Sequence, residues 1–335
     1  MAKIKRLFND PYDIVEEMVE GYVGAHKQYV KMCDLDEAQG RVVLANDAGT
    51  KDKVGVIIGG GSGHEPLFIG YVGEDFADAV VIGNINTSPS PDPCYAAAKA
   101  CDNGKGCIYL YGNYAGDVMN FDMGAEKADE EDDIRVETVL VTDDVVSSEN
   151  IPDRRGIAGD FFVFKVAGAK AATGADLDEV VAAAQKDTRS MGVAMSSATL
   201  PAKGGTIFDM EDGDMEIGMG IHGEPGIRRG KIDTADNVID EIMEPILKDL
   251  PYVEGDEVYV LVNSLGATPL IDLHVCYRRV AQILEEKGIK VYKALVGPFA
   301  CSMDMAGMSV TLMKLDDELK ELMDAPCDTP YFTQK

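Results

Sequence analysis

VGVIIGGGSGHEP, Val54 to Pro66, is a β-branched apolar burst that runs directly into glycines and then into a histidine. A short apolar run without polar alternation is what a strand buried on both faces requires, and the glycines mark where the chain leaves the sheet. The pattern recurs in DAVVIGN (Asp78–Asn84), CIYLYGNYAGD (Cys107–Asp117) and VETVLVTDD (Val136–Asp144). Between these bursts, DPCYAAAKACDNG and FDMGAEKADEED have helix-forming composition and end in breakers. The alternation predicts an α/β fold with buried parallel strands and functional loops at their carboxyl ends.

Farther along, Asp176 followed three residues later by Glu179 in DLDEVVAAAQKDTRSM reads as a capped helix that carries the chain out of a first domain. The second half resumes with MEIGMGIHGEPG and then TADNVIDEIMEPILKDL, whose Val238, Ile239, Ile242, Met243, Ile246, Leu247 and Leu250 follow helical spacing. Pro245 is expected to kink or break that helix. EVYVLVNSLGATP is a strand and loop, followed by a helix with Thr268 as N-cap, Pro269 at its first position and Gly288 past its end. IKVYKALVG and MSVTLMKL supply further strands. The reading is two α/β domains, 1–185 and 186–335, each a mainly parallel or mixed sheet flanked by helices.

Composition narrows the function. The 335 residues are 46% hydrophobic and include no Trp. No apolar run approaches the ~20 residues of a membrane span. The N-terminal MAKIKRLFND is basic but lacks the apolar core of a secretory signal, so the cytoplasm is the expected compartment. Seven cysteines with no C-x-x-C pair suggest neither a disulfide framework nor a zinc site. With 31 Lys plus Arg against 59 Asp plus Glu, the formal charge of −28 argues against nucleic acid and anionic membrane surfaces as partners.

The chemistry concentrates in loops. GGGSGHEP (Gly59–Pro66) and GMGIHGEPG (Gly218–Gly226) each set a histidine among glycines, with Glu and Pro close behind. GMGIHG satisfies G-x-G-x-x-G literally, but Glu224, Pro225 and Gly226 intervene before any helix whose N-terminus could face a pyrophosphate. In GGGSGHEP His64 falls where the third Gly should be, and no G-x-x-x-x-G-K-[ST] occurs in the chain. The chain is therefore not expected to hold its own nucleotide. Small residues around His64 and His222 would let a small polar ligand approach backbone and ring together. Each imidazole can serve as nucleophile, acid, base or metal ligand, although no H-E-x-x-H or H-x-H spacing supports a metal. His26 and His274 read as structural. Asp117, after a buried strand, can accept sugar hydroxyls or a proton, or can cap the next helix. The arginine pairs in DRRGIAG (Asp153–Gly159) and GIRRGK (Gly226–Lys231) can meet an anion or a partner's acidic face, or stand in solvent.

Taken in order, GGGSGHEP, TSPSPD (Thr87–Asp92), NYAGDVMNF (Asn113–Phe121), RRGIAG, GIHGEPG and NSLGATPL (Asn263–Leu270) closely resemble the ketose-binding K subunit of dihydroxyacetone kinase, from about residue 50 to the C-terminal DAPCDTP. The resemblance implies that His222 attacks the ketone of dihydroxyacetone or a related small ketose and holds it as a hemiaminal. It implies that Asp117 and His64 act on the hydroxyl that receives phosphate, and that Gly61, Ser62 and Gly63 line the substrate through their backbone. It also implies a homodimer and a separate helical L subunit carrying ADP or ATP with Mg²⁺. That nucleotide would be served by a phosphotransferase-system protein drawing on phosphoenolpyruvate, or replaced by ATP. One departure stands out: Gly112 occupies the place where family members often carry Lys ahead of N-Y-x-G-D, which opens erythrulose as an alternative substrate. A non-catalytic ketose sensor acting as a transcriptional co-activator is the other alternative, disfavoured because His64 and Asp117 accompany His222.

Overall fold

A computed structural model describes residues 6–186 and 188–335, and the chain forms two compact units. The first comprises 6–141, 162–186 and 319–335. Its six-stranded sheet contains β1 (Val30–Met32), β2 (Val42–Ala45), β3 (Gly55–Ser62), β4 (Ala79–Ile85), β5 (Cys107–Gly112) and β6 (Val136–Val141), in the order β1-β2-β4-β3-β5-β6. β4, β3, β5 and β6 run parallel, and β2 and β1 close one edge antiparallel. β3 and β5 are buried along their whole length, which is why they are spelled as unbroken apolar runs.

The helices of this unit are α1 (Ile14–Ala25), α2 (Pro91–Cys101), α3 (Ala115–Asp132), α4 (Asp160–Ala172, within this unit from Phe162) and α5 (Leu177–Ala184). Asp176 caps α5 with the full reciprocal bond pair to Glu179 that its sequence signalled. α4 has no polar face: Phe162, Phe164 and even Lys165 are buried. Lys165 is accommodated because its Nζ donates to Leu322 O at 3.1 Å and Ala325 O at 2.8 Å, while burial pulls its pKa down.

The second unit comprises 142–161 and 188–318 among the described residues. It contains β7 (Thr188–Ala194), β8 (Thr199–Leu200), β9 (Gly205–Thr206), β10 (Asp214–Ile217), β11 (Arg228–Lys231), α6 (Ala235–Asp249), β12 (Glu257–Ser264), α7 (Leu270–Glu286), β13 (Lys290–Gly297) and β14 (Gly307–Lys314). The main sheet runs β11-β10-β7-β14-β12-β13, with β8 and β9 forming a small separate ladder. Among the described residues only β12 and β13 of this sheet pair in parallel, so it is mixed and mostly antiparallel. Its core joins Ile239, Ile242 and Ile246 of α6 to Val260, Leu284 and Leu312. The chain ends with α8 (Asp317–Asp324), β15 (Cys327–Asp328) and β16 (Thr333–Gln334).

Three sequence expectations change. α6 continues through Pro245 rather than breaking there, because Ile242, Met243 and Ile246 are buried around it and packing outweighs the ~3 kcal/mol a helix-interior proline costs. α7 begins at Leu270 rather than at a Thr268 cap, since the Thr268 hydroxyl is already engaged, accepting from Gly307 N at 2.8 Å and donating to Gly307 O at 2.7 Å. The residues from Thr188, read as the end of a helix, open β7 instead.

The compact units also differ from a single division at residue 185. Segment 142–161 joins the second unit because Asp143 O accepts from Ser190 N at 2.8 Å, Val145 N donates to Ser190 O at 3.0 Å, and Arg154 pairs with Asp249. The tail from 319 joins the first through Lys165 and through Glu74 and Asp328, whose backbones exchange hydrogen bonds. Among the described residues no helix is long and apolar enough to cross a membrane.

Candidate functional site

In the first unit the loops that follow β3, β4 and β5 leave the sheet at the carboxyl ends of parallel strands, where open α/β sheets place their ligands. Ser62 Oγ donates to Gly83 O at 2.8 Å and Asn86 N donates to Ser62 O at 3.0 Å, tying the first loop to the second. At Gly61 an added Cβ would lie 2.7 Å from Thr87 N, so glycine is required there by close approach. Gly63 has φ of 102° and donates its N–H to both Glu65 carboxylate oxygens, at 3.1 and 3.0 Å. Burial pushes the Glu65 carboxyl up despite these bonds.

His64 is 3% exposed and meets the Phe68 ring edge-on, with centroids 6.4 Å apart. Asp117 is the third residue of α3, whose N-cap is Tyr114, so it lies inside the first turn rather than capping the helix. A carboxylate is favoured there by the macrodipole, and Asp117 is buried. One turn on, Asn120 Nδ2 donates to Ser88 Oγ at 3.1 Å and to Pro89 O at 2.7 Å, holding α3 against the loop after β4. Gly112 is the last residue of β5.

In the second unit His222 sits in the loop between β10 and β11, its side chain 24% exposed. Glu224 engages it twice: Oε2 accepts the His222 backbone N–H at 3.0 Å, and Oε1 lies 3.1 Å from Nδ1. Burial alone would raise the Glu224 carboxyl, but the His222 hydrogen bond and the charges of His222 and Arg155 bring it down to about 2. The Arg155 guanidinium reaches Glu224 at 4.0 Å and is held by Asp144 through Nε at 3.1 Å and Nη2 at 2.7 Å. Burial first, and the neighbouring Asp143 charge, raise Asp144 to about 6 against the pull of Arg155.

Packing requires the glycines of this loop. An added Cβ would meet Val146 Cγ2 at 2.8 Å from Gly218, Glu224 Oε2 at 2.2 Å from Gly220, Phe208 Cδ1 at 2.7 Å from Gly223 and Ile217 O at 2.2 Å from Gly226. They pack the loop onto its own unit. Because Gly226 opposes rigid backbone, Gly226→Ala is expected to cost about 1–3 kcal/mol, read as a lowered thermal midpoint; an unchanged midpoint would show that the loop can shift freely.

The arginine pairs are likewise committed inside the unit. Arg154 makes a two-pronged pair with Asp249, Arg155 pairs with Asp144, Arg228 with Glu241 and Arg229 with Glu216. His26 ends α1 beside Tyr22 and Tyr331, and His274 lies exposed on α7. Nothing in the sequence assigns work to Glu65 or Glu224, or marks Asp144. The one signal available was the Glu-Pro that follows each of His64 and His222. Among the described residues no group of three or more His, Cys, Asp or Glu is arranged to hold a metal ion.

Comparison with known proteins places the chain. The Dak1 domain model matches residues 20–331. Over 332 residues the chain is 60% identical to the PTS-dependent dihydroxyacetone kinase 2, dihydroxyacetone-binding subunit DhaK, of Listeria innocua, covering 98% of this chain and 99% of that one. It is 42% identical to the D-erythrulose kinase of Mycolicibacterium smegmatis, aligning with 98% of this chain but only 56% of that longer protein. The crystal structure of the dihydroxyacetone kinase of C. freundii superposes with a TM-score of 0.88 at 30% identity, covering 98% of this chain and 60% of the other. The chain therefore belongs to the Dak1 domain family of kinases, as a member of its DhaK subunit branch.

Proposed function

We propose that the chain is the ketose-holding subunit of a dihydroxyacetone kinase supplied with phosphate by the phosphotransferase system. The observation that carries this reading is the 60% identity, along nearly the full length of both chains, to a subunit of that description. In this reading the His222 imidazole adds to the carbonyl carbon of dihydroxyacetone. A C–N bond forms, the carbonyl π pair moves to oxygen, and the oxygen takes a proton to give a hemiaminal. Glycerol, lacking a carbonyl, is excluded by chemistry rather than by fit. Asp117 accepts the proton of the hydroxyl that is phosphorylated, and His64 orients that hydroxyl or relays its proton. Gly61, Ser62 and Gly63 offer their backbone to the sugar.

Phosphoryl transfer is largely positioning and charge neutralisation by a donor-bound metal. In this reading ADP or ATP with Mg²⁺ belongs to an L subunit, where the metal neutralises the phosphate charge. A phosphotransferase-system phosphoprotein recharges that nucleotide, and the K-type chain works as a cytoplasmic homodimer. Reconstitution with candidate L subunits tests this, comparing phosphoenolpyruvate plus the phosphotransferase proteins with ATP alone. Turnover of dihydroxyacetone with the phosphotransferase chain is expected; ketose binding without turnover in any combination would replace the kinase by a sensor.

A second reading, an erythrulose kinase subunit, draws on Gly112 and on the 42% identity to D-erythrulose kinase. Without a lysine ammonium at 112, a donor is absent and room is left for one more carbon. Gly112→Lys is expected to lower the KM for dihydroxyacetone several-fold and to depress erythrulose turnover, each tenfold step corresponding to about 1.4 kcal/mol. Unchanged selectivity between the two ketoses would remove Gly112 from the specificity argument.

A further inference from the structure

We infer that Glu224, held in place by Arg155 and Asp144, is the positioning residue that fixes the tautomer and the aim of the His222 ring, so that Nε2 is the nitrogen that reacts. The inference rests on the proposed role of His222 as the covalent anchor and deepens it.

Its basis is the way one carboxylate spans one residue. Glu224 binds the backbone N–H of His222 with Oε2 and Nδ1 of the same residue with Oε1, at 3.0 and 3.1 Å. Turning the ring away breaks the second bond while the first keeps the carboxylate where it is. An ionised carboxylate only accepts, so Nδ1 carries the proton and Nε2 keeps its lone pair. Held down by its hydrogen bond to His222 and by the Arg155 charge, the Glu224 carboxyl is ionised throughout the neutral range.

The support extends a further layer. Arg155 Nη1 lies 4.0 Å from Glu224 Oε2, and the same guanidinium is fixed by Asp144 and by Gly218 O at 3.3 Å. Asp144 is 1% exposed, so the far end of this chain of charges is anchored in the interior. Gly220 gives the carboxylate its room: an added Cβ would lie 2.2 Å from Glu224 Oε2 and 2.7 Å from Arg155 Nη1. Asp144, Arg155 and Glu224 come from separate stretches of the chain and converge on one imidazole, the arrangement by which an outer carboxylate sets ring orientation elsewhere.

The consequence is chemical as well as geometric. When the Nε2 lone pair forms the C–N bond, the carbonyl pair moves to oxygen and that oxygen takes a proton from solvent, leaving the ring as an imidazolium. Nδ1–H then points its charge at Glu224. The carboxylate thus interacts more strongly with the adduct than with the free ring, which is the condition for it to favour the bond rather than merely hold the side chain.

The test uses the full-length chain, ¹⁵N-labelled, with long-range ¹H–¹⁵N spectra of its four histidines and the His222 signals assigned by their absence in His222→Ala. The wild type is expected to show the Nδ1–H form. Glu224→Gln is expected to mix the tautomers and cut adduct occupancy with dihydroxyacetone at least tenfold, while Glu224→Asp recovers part of both. A folded Glu224→Gln chain with wild-type tautomer and adduct would overturn the inference. So would an Nε2–H form in the wild type, which decides the matter even if the variant does not fold. A wild type that holds the Nδ1–H form yet takes up no ketose overturns the hemiaminal reading instead and leaves the positioning of the ring standing.

Discussion

Replacing His222 by Ala is expected to abolish the gain of one ketose mass when the chain is incubated with dihydroxyacetone, and with it nearly all turnover. In the proposed reading the hemiaminal does two things that ordinary contacts cannot do together. It selects carbonyl compounds by bond formation, and it converts a small, weakly held sugar into part of the protein, so that its hydroxyl meets the phosphoryl donor as an intramolecular group. Well-oriented intramolecular reactions gain effective molarities of 10⁵–10⁸ M, about 7–11 kcal/mol at best. A loss on the order of 10³-fold or more in kcat/KM, about 4 kcal/mol, is therefore the conservative expectation. The control is built into the site: the His222 side chain is 24% exposed, so its removal opens no sealed cavity and the thermal midpoint should move little. A mass increase that survives the substitution would sink the covalent reading. Turnover that survives while the mass increase vanishes would show that the bond forms but is not on the route to product.

The first unit is legible because its signals are local. β3 and β5 are buried over their whole length and are written as apolar runs, and their loops carry His64 and Asp117 next to the strands that position them. The second unit was less legible because its buried polar groups find partners far away. Thr188, Arg189 and Ser190 open a fully buried strand, yet as letters they look like a helix end. They tolerate burial because Arg189 pairs with Asp249 and Ser190 Oγ lies 2.6 Å from Thr311 Oγ1, 121 residues along the chain. Arg154 likewise meets Asp249 across 95 residues, so a motif that reads as a free basic pair is an internal brace.

The same limit explains the glycine-rich loop around His222. A glycine states that a side chain is not wanted but not which atom forbids it. At Gly220 that atom is the carboxylate of Glu224, and at Gly226 it is the Ile217 carbonyl. The repeated Glu-Pro after each histidine was visible, whereas its two uses were not. Glu65 accepts the N–H of Gly63, two residues back, and braces the loop backbone. Glu224 takes both the N–H and the ring of the histidine itself.

Substituting Asp117 by Asn is expected to separate holding the ketose from phosphorylating it. Asn matches Asp in shape, so Asp117 can be neutralised without a cavity in the first turn of α3, where it is 9% exposed. The structural cost is the favourable charge near the helix N-terminus, about 0.3–1 kcal/mol, which a thermal melt would register as a small fall. Hemiaminal formation draws on the His222 ring and the substrate carbonyl, neither of which requires a base at 117, so the ketose mass increase should persist at wild-type occupancy. Removing a positioned general base typically costs 10²–10⁴-fold, and that loss should fall on kcat with the L subunit and its donor saturating. If kcat is unchanged in a variant that still binds ketose, Asp117 is not the base and the proton leaves through His64. If adduct occupancy falls together with kcat, Asp117 supports capture of the sugar rather than the transfer step, and the division of labour between anchor and base is wrong.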